Sequence, residues 1–199
     1  MKEKDMDELS RKIQTCQQCD LGMVRKNPVI GEGSLDSKIL FIGEAPGFNE
    51  DQKGKPFVGR AGNILNELLE HINLKREDVY IANILKCRPP ENRNPKKNEV
   101  DLCTPFLDAQ IDIIQPQILV PLGNFSYRYL FSKYNIPIDK ISVDHGKLFK
   151  KQTILGVLHI FPMYHPAVAT YNPNKITILL KDFETLDNFL EKPLISIHG

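Results

Sequence analysis

Short apolar runs alternate with longer amphipathic segments along this chain. Four runs end in a turn or a polar residue, and they cover residues 38–43, 79–84, 117–123 and 157–162. Runs this short and this apolar are typical of strands buried on both faces of a parallel sheet. Between them, apolar residues recur at helical spacing after Gly62, along residues 100–114 and 125–130, and from about residue 176 to 190.

This alternation predicts an α/β protein with three layers, αβα, around a central, mainly parallel four-stranded sheet. Residues 141–155 are expected to form a hairpin before the last strand, and Pro105 is expected to start or kink the second helix. No internal repeat and no long linker divides the 199 residues. We therefore predict a single domain over 1–199, in which about residues 1–30 form an N-terminal appendage with little core.

Composition adds few restrictions, because 41% hydrophobic and 26% charged residues are ordinary values for a globule with a core. The net charge of +1 gives no global basic field. Charge is uneven locally: between Lys86 and Lys97, five of the six charged residues are cations. Such a run is usually solvated surface, and the alternative is a surface that binds phosphates.

The four cysteines of the chain fall into two distant groups. Cys16 and Cys19 are separated by two residues, whereas Cys87 and Cys103 come much later, so only the fold can bring all four together. Four thiolates suit either tetrahedral zinc or an iron–sulfur cluster. Disulfides and unrelated buried thiols are the alternatives. The polar first 20 residues lack the apolar core of a signal peptide, so we expect a cytoplasmic protein, whose reducing surroundings favour a metal.

Three polar residues follow or end the predicted strands. Glu44 comes directly after the first strand, Asn83 lies near the end of the second, and His165 follows the fourth. In an open parallel sheet, ligands bind beyond the carboxyl ends of the strands. Each residue alone has an ordinary explanation, as a solvated acid, a turn cap or a loop histidine. Their equivalent positions at three strand ends predict a site.

Around these residues the chain carries an ordered set of motifs. They are Gly43-Glu-Ala-Pro-Gly47 with Glu50-Asp51, Pro56-Phe-Val-Gly-Arg-Ala-Gly62, Asn83 with Lys86-Cys-Arg-Pro-Pro90 and Asn92-Arg93, and Phe161-Pro-Met-Tyr-His-Pro-Ala167. No single motif is specific, but the ordered set resembles the family-4 uracil-DNA glycosylases, the thermostable iron–sulfur type. The resemblance implies an enzyme that flips uracil out of DNA and hydrolyses its N-glycosidic bond.

The resemblance also implies a role for each residue of the predicted site. Phe57 would stack on the flipped uracil, and the Asn83 carboxamide would pair with its N3–H and O4. Glu50 would lie near C5 of the base, where it would exclude the methyl group of thymine. Two catalytic residues complete the set: His165 would donate a hydrogen bond to uracil O2, and Glu44 would orient the attacking water. Backbone N–H groups around Gly43 would add donors.

The resemblance implies that Cys16, Cys19, Cys87 and Cys103 hold a structural [4Fe–4S] cluster. That cluster would tie the N-terminal segment to the 87–103 loop and present the cations of residues 86–97 to DNA. Arg88 and Arg93 are the best candidates for phosphate contacts. The family usually has a wedging leucine after His-Pro-Ala, and here Tyr171 or Val168 would take that role.

We expect uracil-containing DNA as the partner, no membrane association and a monomeric protein. Whether a sliding clamp or other repair proteins also bind is not determined by the sequence. Two other functions also stay open: a non-catalytic iron–sulfur or zinc DNA-binding protein, and an electron-transfer or redox-sensing protein. Neither alternative explains the polar residues at the strand ends.

Overall fold

The computed structural model describes residues 1–191, and the predicted domain therefore extends beyond them by residues 192–199. The strands are β1 (Glu32–Gly33), β2 (Ile39–Gly43), β3 (Tyr80–Asn83), β4 (Ile118–Pro121), β5 (Phe149–Thr153) and β6 (Gly156–Ile160). The helices are α1 (Lys2–Thr15), α2 (Leu21–Val24), α3 (Phe48–Lys53), α4 (Arg60–His71), α5 (Lys97–Ile114), α6 (Asn124–Lys133), α7 (Ile141–Asp144), α8 (Val168–Tyr171) and α9 (Ile176–Glu191).

The described strands form one six-stranded sheet in the order β1-β3-β2-β4-β6-β5. The four inner strands β3, β2, β4 and β6 run parallel and coincide with the four predicted apolar runs. The predicted α/β class and parallel centre are confirmed, but the sheet has two more strands than predicted. Both additions are antiparallel edge strands, one only two residues long and the other alternating between half-buried and exposed positions.

Helices cover both faces of the sheet, as the three-layer prediction requires. Leu40 and Ile42 of β2 pack into a core with α1, α5 and α6, whereas Ile39 and Phe41 pack into a second core with α4 and α9. Successive strand residues point to opposite faces, so an uninterrupted apolar run supplies both cores. No helix among residues 1–191 is long and apolar enough to cross a membrane.

Three local features differ from the sequence-based expectations. Pro105 does not start the helix but lies inside α5, which begins at Lys97, where the Glu99 carboxylate accepts the Lys96 amide at 2.8 Å and caps the helix start. Residues 141–144 form helix α7, and the hairpin pairs β5 with β6. The first 30 residues also contribute core side chains, since α1 packs against α5 through Met6, Leu9 and Ile13.

Candidate active site and metal centre

A cleft of about 480 Å³ opens at the carboxyl ends of the parallel strands. It is lined by all three residues predicted at the strand ends, Glu44, Asn83 and His165, together with Glu50 and Phe57. The structure thus brings together side chains from the loops after β2 and β6, from the end of β3 and from the segment before α4. The cleft is large enough for a nucleobase and its sugar.

Gly43 allows Asn83 and Phe57 to approach each other. Gly43 and Asn83 are register partners on β2 and β3. A Cβ atom at Gly43 would lie 2.3 Å from Asn83 Oδ1 and 2.8 Å from the Phe57 ring, so only glycine fits at this position. Asn83 is 2% exposed, and in residues 1–191 no protein group hydrogen-bonds its carboxamide. Its donor and acceptor therefore remain available to a ligand in the cleft.

The loop that carries Phe57 is held by two side chains, Arg76 and Glu50. Phe57 has a left-handed backbone, with φ of 50°, which is uncommon for a bulky residue. Arg76 donates to the carbonyl oxygens of Pro56 at 2.8 Å and Phe57 at 3.1 Å. Glu50 Oε1 accepts the N–H groups of residues 58 and 59 at 2.9 and 2.8 Å. These bonds offset the strain and fix the Phe57 ring at the cleft.

His165 is held as a neutral imidazole with a defined tautomer. Its Nδ1 accepts the backbone N–H of Ala167 at 3.1 Å, so the proton of the neutral ring resides on Nε2. Removal from water lowers the pKa of His165 to about 4, and the negative charge of Glu50 only partly opposes this shift. The imidazole also stacks with Phe57, with 5.4 Å between ring centroids. At neutral pH, His165 therefore offers one N–H donor.

Glu44 is half-buried in the loop after β2 and lines the cleft. Burial raises the pKa of its carboxyl group above the ordinary value. The main chain on either side is fixed, because the carbonyl oxygens of Gly43 and Glu44 accept the amides of Ile84 at 3.1 Å and Leu85 at 3.0 Å. No group in the described chain hydrogen-bonds the Glu44 carboxylate, which lines the cleft.

The cations of the 86–97 run have separate environments, which the sequence did not predict. Lys86 is 1% exposed and donates to the Asn83 carbonyl oxygen at 2.8 Å and to Gln110 Oε1 at 2.6 Å, so it is not part of a phosphate-binding surface. Arg93 lines the cleft but forms a two-bond ion pair with the buried Glu99. Arg88 is half-buried at the protein surface.

The predicted wedge residue Tyr171 lies at the rim of the cleft. It ends helix α8 and is 88% exposed, and Val168 at the start of the same helix also lines the cleft. An exposed aromatic side chain of this size has no packing role in the described protein. It is therefore accessible to a ligand at the rim of the cleft.

The four cysteines line a single cavity between the N-terminal segment and helix α5. Cys87 and Cys103 are buried, whereas Cys16 and Cys19 are half-buried. Arg25 Nη1 donates to Cys87 Sγ at 3.0 Å, and the Lys86 amide donates to Cys103 Sγ at 3.2 Å. Within residues 1–191, no three His, Cys, Asp or Glu side chains converge as the ligands of one metal ion do.

Sequence reasoning missed the residues that support the cleft from outside. Arg76 lies in a polar 3₁₀ turn, and the sequence does not distinguish Lys86 from the surface cations around it. The pattern places Gly123 only in a strand, but its φ is 90° and a Cβ atom at this position would lie 3.0 Å from the His165 side chain, so the glycine makes room for His165. Only the glycine carried a detectable signal, since it follows an apolar strand directly.

Comparison with known proteins agrees with this cleft. The family model described as the uracil DNA glycosylase superfamily matches residues 30–192, most of the chain. That range includes the strand ends, the Phe57 loop and the His165 loop. The α/β fold and the cleft at its carboxyl edge are thus those of a uracil DNA glycosylase superfamily protein.

Individual relatives identify the family within this superfamily. The chain is 44% identical to the type-4 uracil-DNA glycosylase of Saccharolobus solfataricus over 94% of this chain and 92% of that protein. It is 39% identical to the type-4 enzyme of Archaeoglobus fulgidus, over 95% of both chains. The identity to the type-4 enzyme of Thermotoga maritima is 40%, over 96% of this chain and 97% of that protein. The chain belongs to the type-4 uracil-DNA glycosylase family, as the sequence motifs predicted.

Proposed function

We propose that this protein removes uracil from DNA by hydrolysing the N-glycosidic bond and leaves an abasic site. The observation that carries the proposal is the available Asn83 carboxamide beside Phe57 and a neutral His165 in one cleft. Family membership supports the same activity. The test is release of uracil from a labelled, uracil-containing oligonucleotide. Binding of that DNA without base release would instead support the non-catalytic alternative.

Recognition of uracil rests on the Asn83 donor and acceptor. The carboxamide oxygen accepts uracil N3–H and the NH₂ group donates to O4, with the base stacked on Phe57. Cytosine presents the opposite pattern at these positions and leaves buried partners unpaired, which is costly. Glu50 lines the same cleft and is fixed by two backbone N–H groups, so a carboxylate near C5 would leave no room for a thymine methyl.

Bond cleavage leaves negative charge on uracil O2 and positive charge on the sugar. The Nε2–H of His165 would donate to O2 as the charge develops, and its partner Ala167 prevents the other tautomer. The Glu44 carboxylate would orient the water and face the sugar cation. It must be ionised for both purposes, so activity requires a pH above its raised pKa.

This requirement predicts the pH dependence. The single-turnover rate should fall as the pH falls, with a midpoint above the ordinary glutamate value of 4.5, because Glu44 takes up a proton there. His165 is mostly neutral above about pH 5, since its pKa is about 4. Glu44→Gln should be slow at every pH and lose this titration, measured between about pH 4.5 and 8.

The exposed loop acid Glu91 offers a matched control, because Glu91→Gln removes a carboxylate outside the cleft and should keep both rate and titration. A Glu44→Gln variant with the wild-type acid limb would show that another group titrates.

We also infer that Cys16, Cys19, Cys87 and Cys103 hold a [4Fe–4S] cluster. Four thiols that line one cavity supply the all-sulfur ligand set that an iron–sulfur cluster takes, and family membership favours this cluster over zinc. The two N–H···S bonds, from Arg25 and Lys86, suit thiolate ligands that carry negative charge. The cluster would be structural and join the N-terminal segment to α5, since uracil release transfers no electron.

Anaerobically purified protein should accordingly be yellow-brown and contain about four irons per chain with matching acid-labile sulfide. Cys103→Ser should lower the iron content, because serine replaces a soft thiolate with a hard hydroxyl. Metal and sulfide analysis measures both. One zinc per chain without sulfide would contradict the cluster assignment.

DNA contacts outside the cleft would come from Tyr171 and the two arginines. Tyr171 is exposed at the rim and would fill the space left by the extruded base. Arg88 has no carboxylate partner in the described chain, and so it is the better of the two for phosphate. Arg93 would have to share its guanidinium with Glu99.

A further inference from the structure

The lip of the cleft carries an exposed aromatic residue that the proposed mechanism does not use. Phe48 begins helix α3 and is 56% exposed. It lies in sequence between Gly47 and Glu50, both of which line the cleft. The hydrophobic effect disfavours leaving a phenyl ring in water, and its neighbours Glu50 and Asp51 are both turned inward. The Phe48 ring is therefore presented to solvent beside residues that line the cleft.

A cation accompanies this ring. The Arg88 guanidinium lies over Phe48, with its central carbon 5.2 Å from the ring centroid. Arg88 Nε donates to Asn92 Oδ1 at 2.8 Å, which orients the guanidinium plane. Its chain neighbour Pro89 and its partner Asn92 both line the cleft. Phe48 and Arg88 thus join the loop after β2 to the 88–94 loop along one lip, which we call the Phe48–Arg88 lip.

The chemistry of the lip fits a nucleobase on a phosphate backbone. An exposed aromatic ring supplies a stacking surface for any base, and a neighbouring arginine supplies charge for the phosphate and a second planar face. One face of the ring is occupied by the guanidinium, while more than half of the side chain stays accessible. An interface with a folded protein would gain little from a single small aromatic patch that borders a base-binding cleft.

We propose that the Phe48–Arg88 lip is a second base-binding subsite, which stacks a nucleotide flanking the extruded uracil. The inference rests on the proposed function, because continuity with the uracil cleft identifies the occupant as DNA. A flanking base can leave its own stack most easily in single-stranded DNA. The lip should therefore contribute more to binding of single-stranded than of double-stranded uracil-containing DNA.

The test is equilibrium binding of a fluorescent single-stranded oligonucleotide with one 2′-fluorinated deoxyuridine, whose glycosidic bond resists hydrolysis. In a companion series of strands, an abasic spacer replaces one base at a time, at each of the three positions on either side of the deoxyuridine. Phe48→Ala should weaken binding of the unmodified strand about tenfold, the usual scale for one lost base–aromatic stack. Phe48→Tyr should restore it. Ile154→Ala, at a fully exposed residue in the β5–β6 turn at the opposite edge of the sheet, should change nothing.

The decisive result is energetic coupling between the Phe48→Ala substitution and an abasic spacer in the DNA. At one flanking position, the spacer should weaken wild-type binding about tenfold and have little further effect on Phe48→Ala. Equal spacer effects in both proteins at every position would overturn the subsite. If Phe48→Ala weakened binding of every strand by the same factor, the subsite would likewise be overturned, and Phe48 would contribute to DNA affinity without contacting a particular base.

Failure of this inference is distinguishable from failure of the proposed function. If wild-type protein releases uracil and shows no coupling at Phe48, only the subsite is wrong. If the coupling is present but natural uracil-containing DNA is not cleaved, the lip binds DNA and the proposed hydrolysis is wrong. Phe48→Ala should release uracil at the wild-type rate at saturating DNA, because Phe48 lies outside the reacting cleft.

Discussion

Replacing His165 with alanine is expected to lower the single-turnover rate of uracil release by about 10²–10³-fold while hardly changing affinity for uracil-containing DNA. The donor on Nε2 meets a nearly neutral O2 in the bound substrate and an anionic O2 in the transition state. An interaction made mainly in the transition state affects the rate and not ground-state binding.

The structure makes this prediction specific to a neutral imidazole. The Ala167 amide occupies Nδ1, and removal from water lowers the pKa of His165 to about 4. The rate loss of His165→Ala should consequently be constant between about pH 6 and 8. A histidine that acted as an imidazolium would instead lose its contribution as the pH rose through its pKa.

The measurement compares single-turnover rate with equilibrium affinity for the same oligonucleotide. His71→Ala is the matched control, because it removes a surface imidazole at the end of α4 that does not line the cleft. Near wild-type cleavage by His165→Ala would remove this residue from the mechanism. Equal losses in rate and binding would reduce it to a uniform substrate contact.

Asn83→Asp is expected to abolish most uracil release, with a loss of at least about 10²-fold in single-turnover rate. An ionised carboxylate cannot donate to O4, and buried sites built to pair a polar group reject a mismatched partner strongly. Asn83 is 2% exposed, so water cannot substitute for the missing bond. A carboxyl group that accepts from the amino group of cytosine and, when protonated, donates to its N3 should give detectable cytosine release.

Asn94→Asp provides the control for charge, because Asn94 is exposed and lines the same cleft. It places the same negative charge at the rim and should retain most of the uracil activity. Single-turnover assays on uracil- and cytosine-containing strands measure both effects. Wild-type uracil release by Asn83→Asp would show that another residue recognises the base.

The predictions from sequence succeeded where a local pattern reports a tertiary position. The four apolar runs became the four parallel strands, because strands buried on both faces must be apolar throughout. The strand-end rule predicts Glu44, Asn83 and His165 on one edge of the sheet, and the cleft brings the three together there.

The same reasoning failed where several environments produce one pattern. Edge strand β5 contains Lys150 and Lys151 and has the polarity of a loop, although it pairs with β6 along its whole length. The N-terminal helix α1 has few apolar residues, yet three of them reach the core because α5 lies beside it. Sparse local signals do not identify their tertiary partners.

By itself, the sequence determined the fold class, the edge of the sheet that carries the site, the identity of the polar groups there and the family. Only the tertiary structure decided how the charged residues are used. Lys86 and Arg88 belong to one cationic run, but the first is buried under Asn83 and the second stacks on Phe48 at the surface. The difference arises because Gln110 on α5, 24 positions away, supplies the acceptor that lets a lysine ammonium leave water. Such a partner is set by helix packing, which no local pattern of charge records.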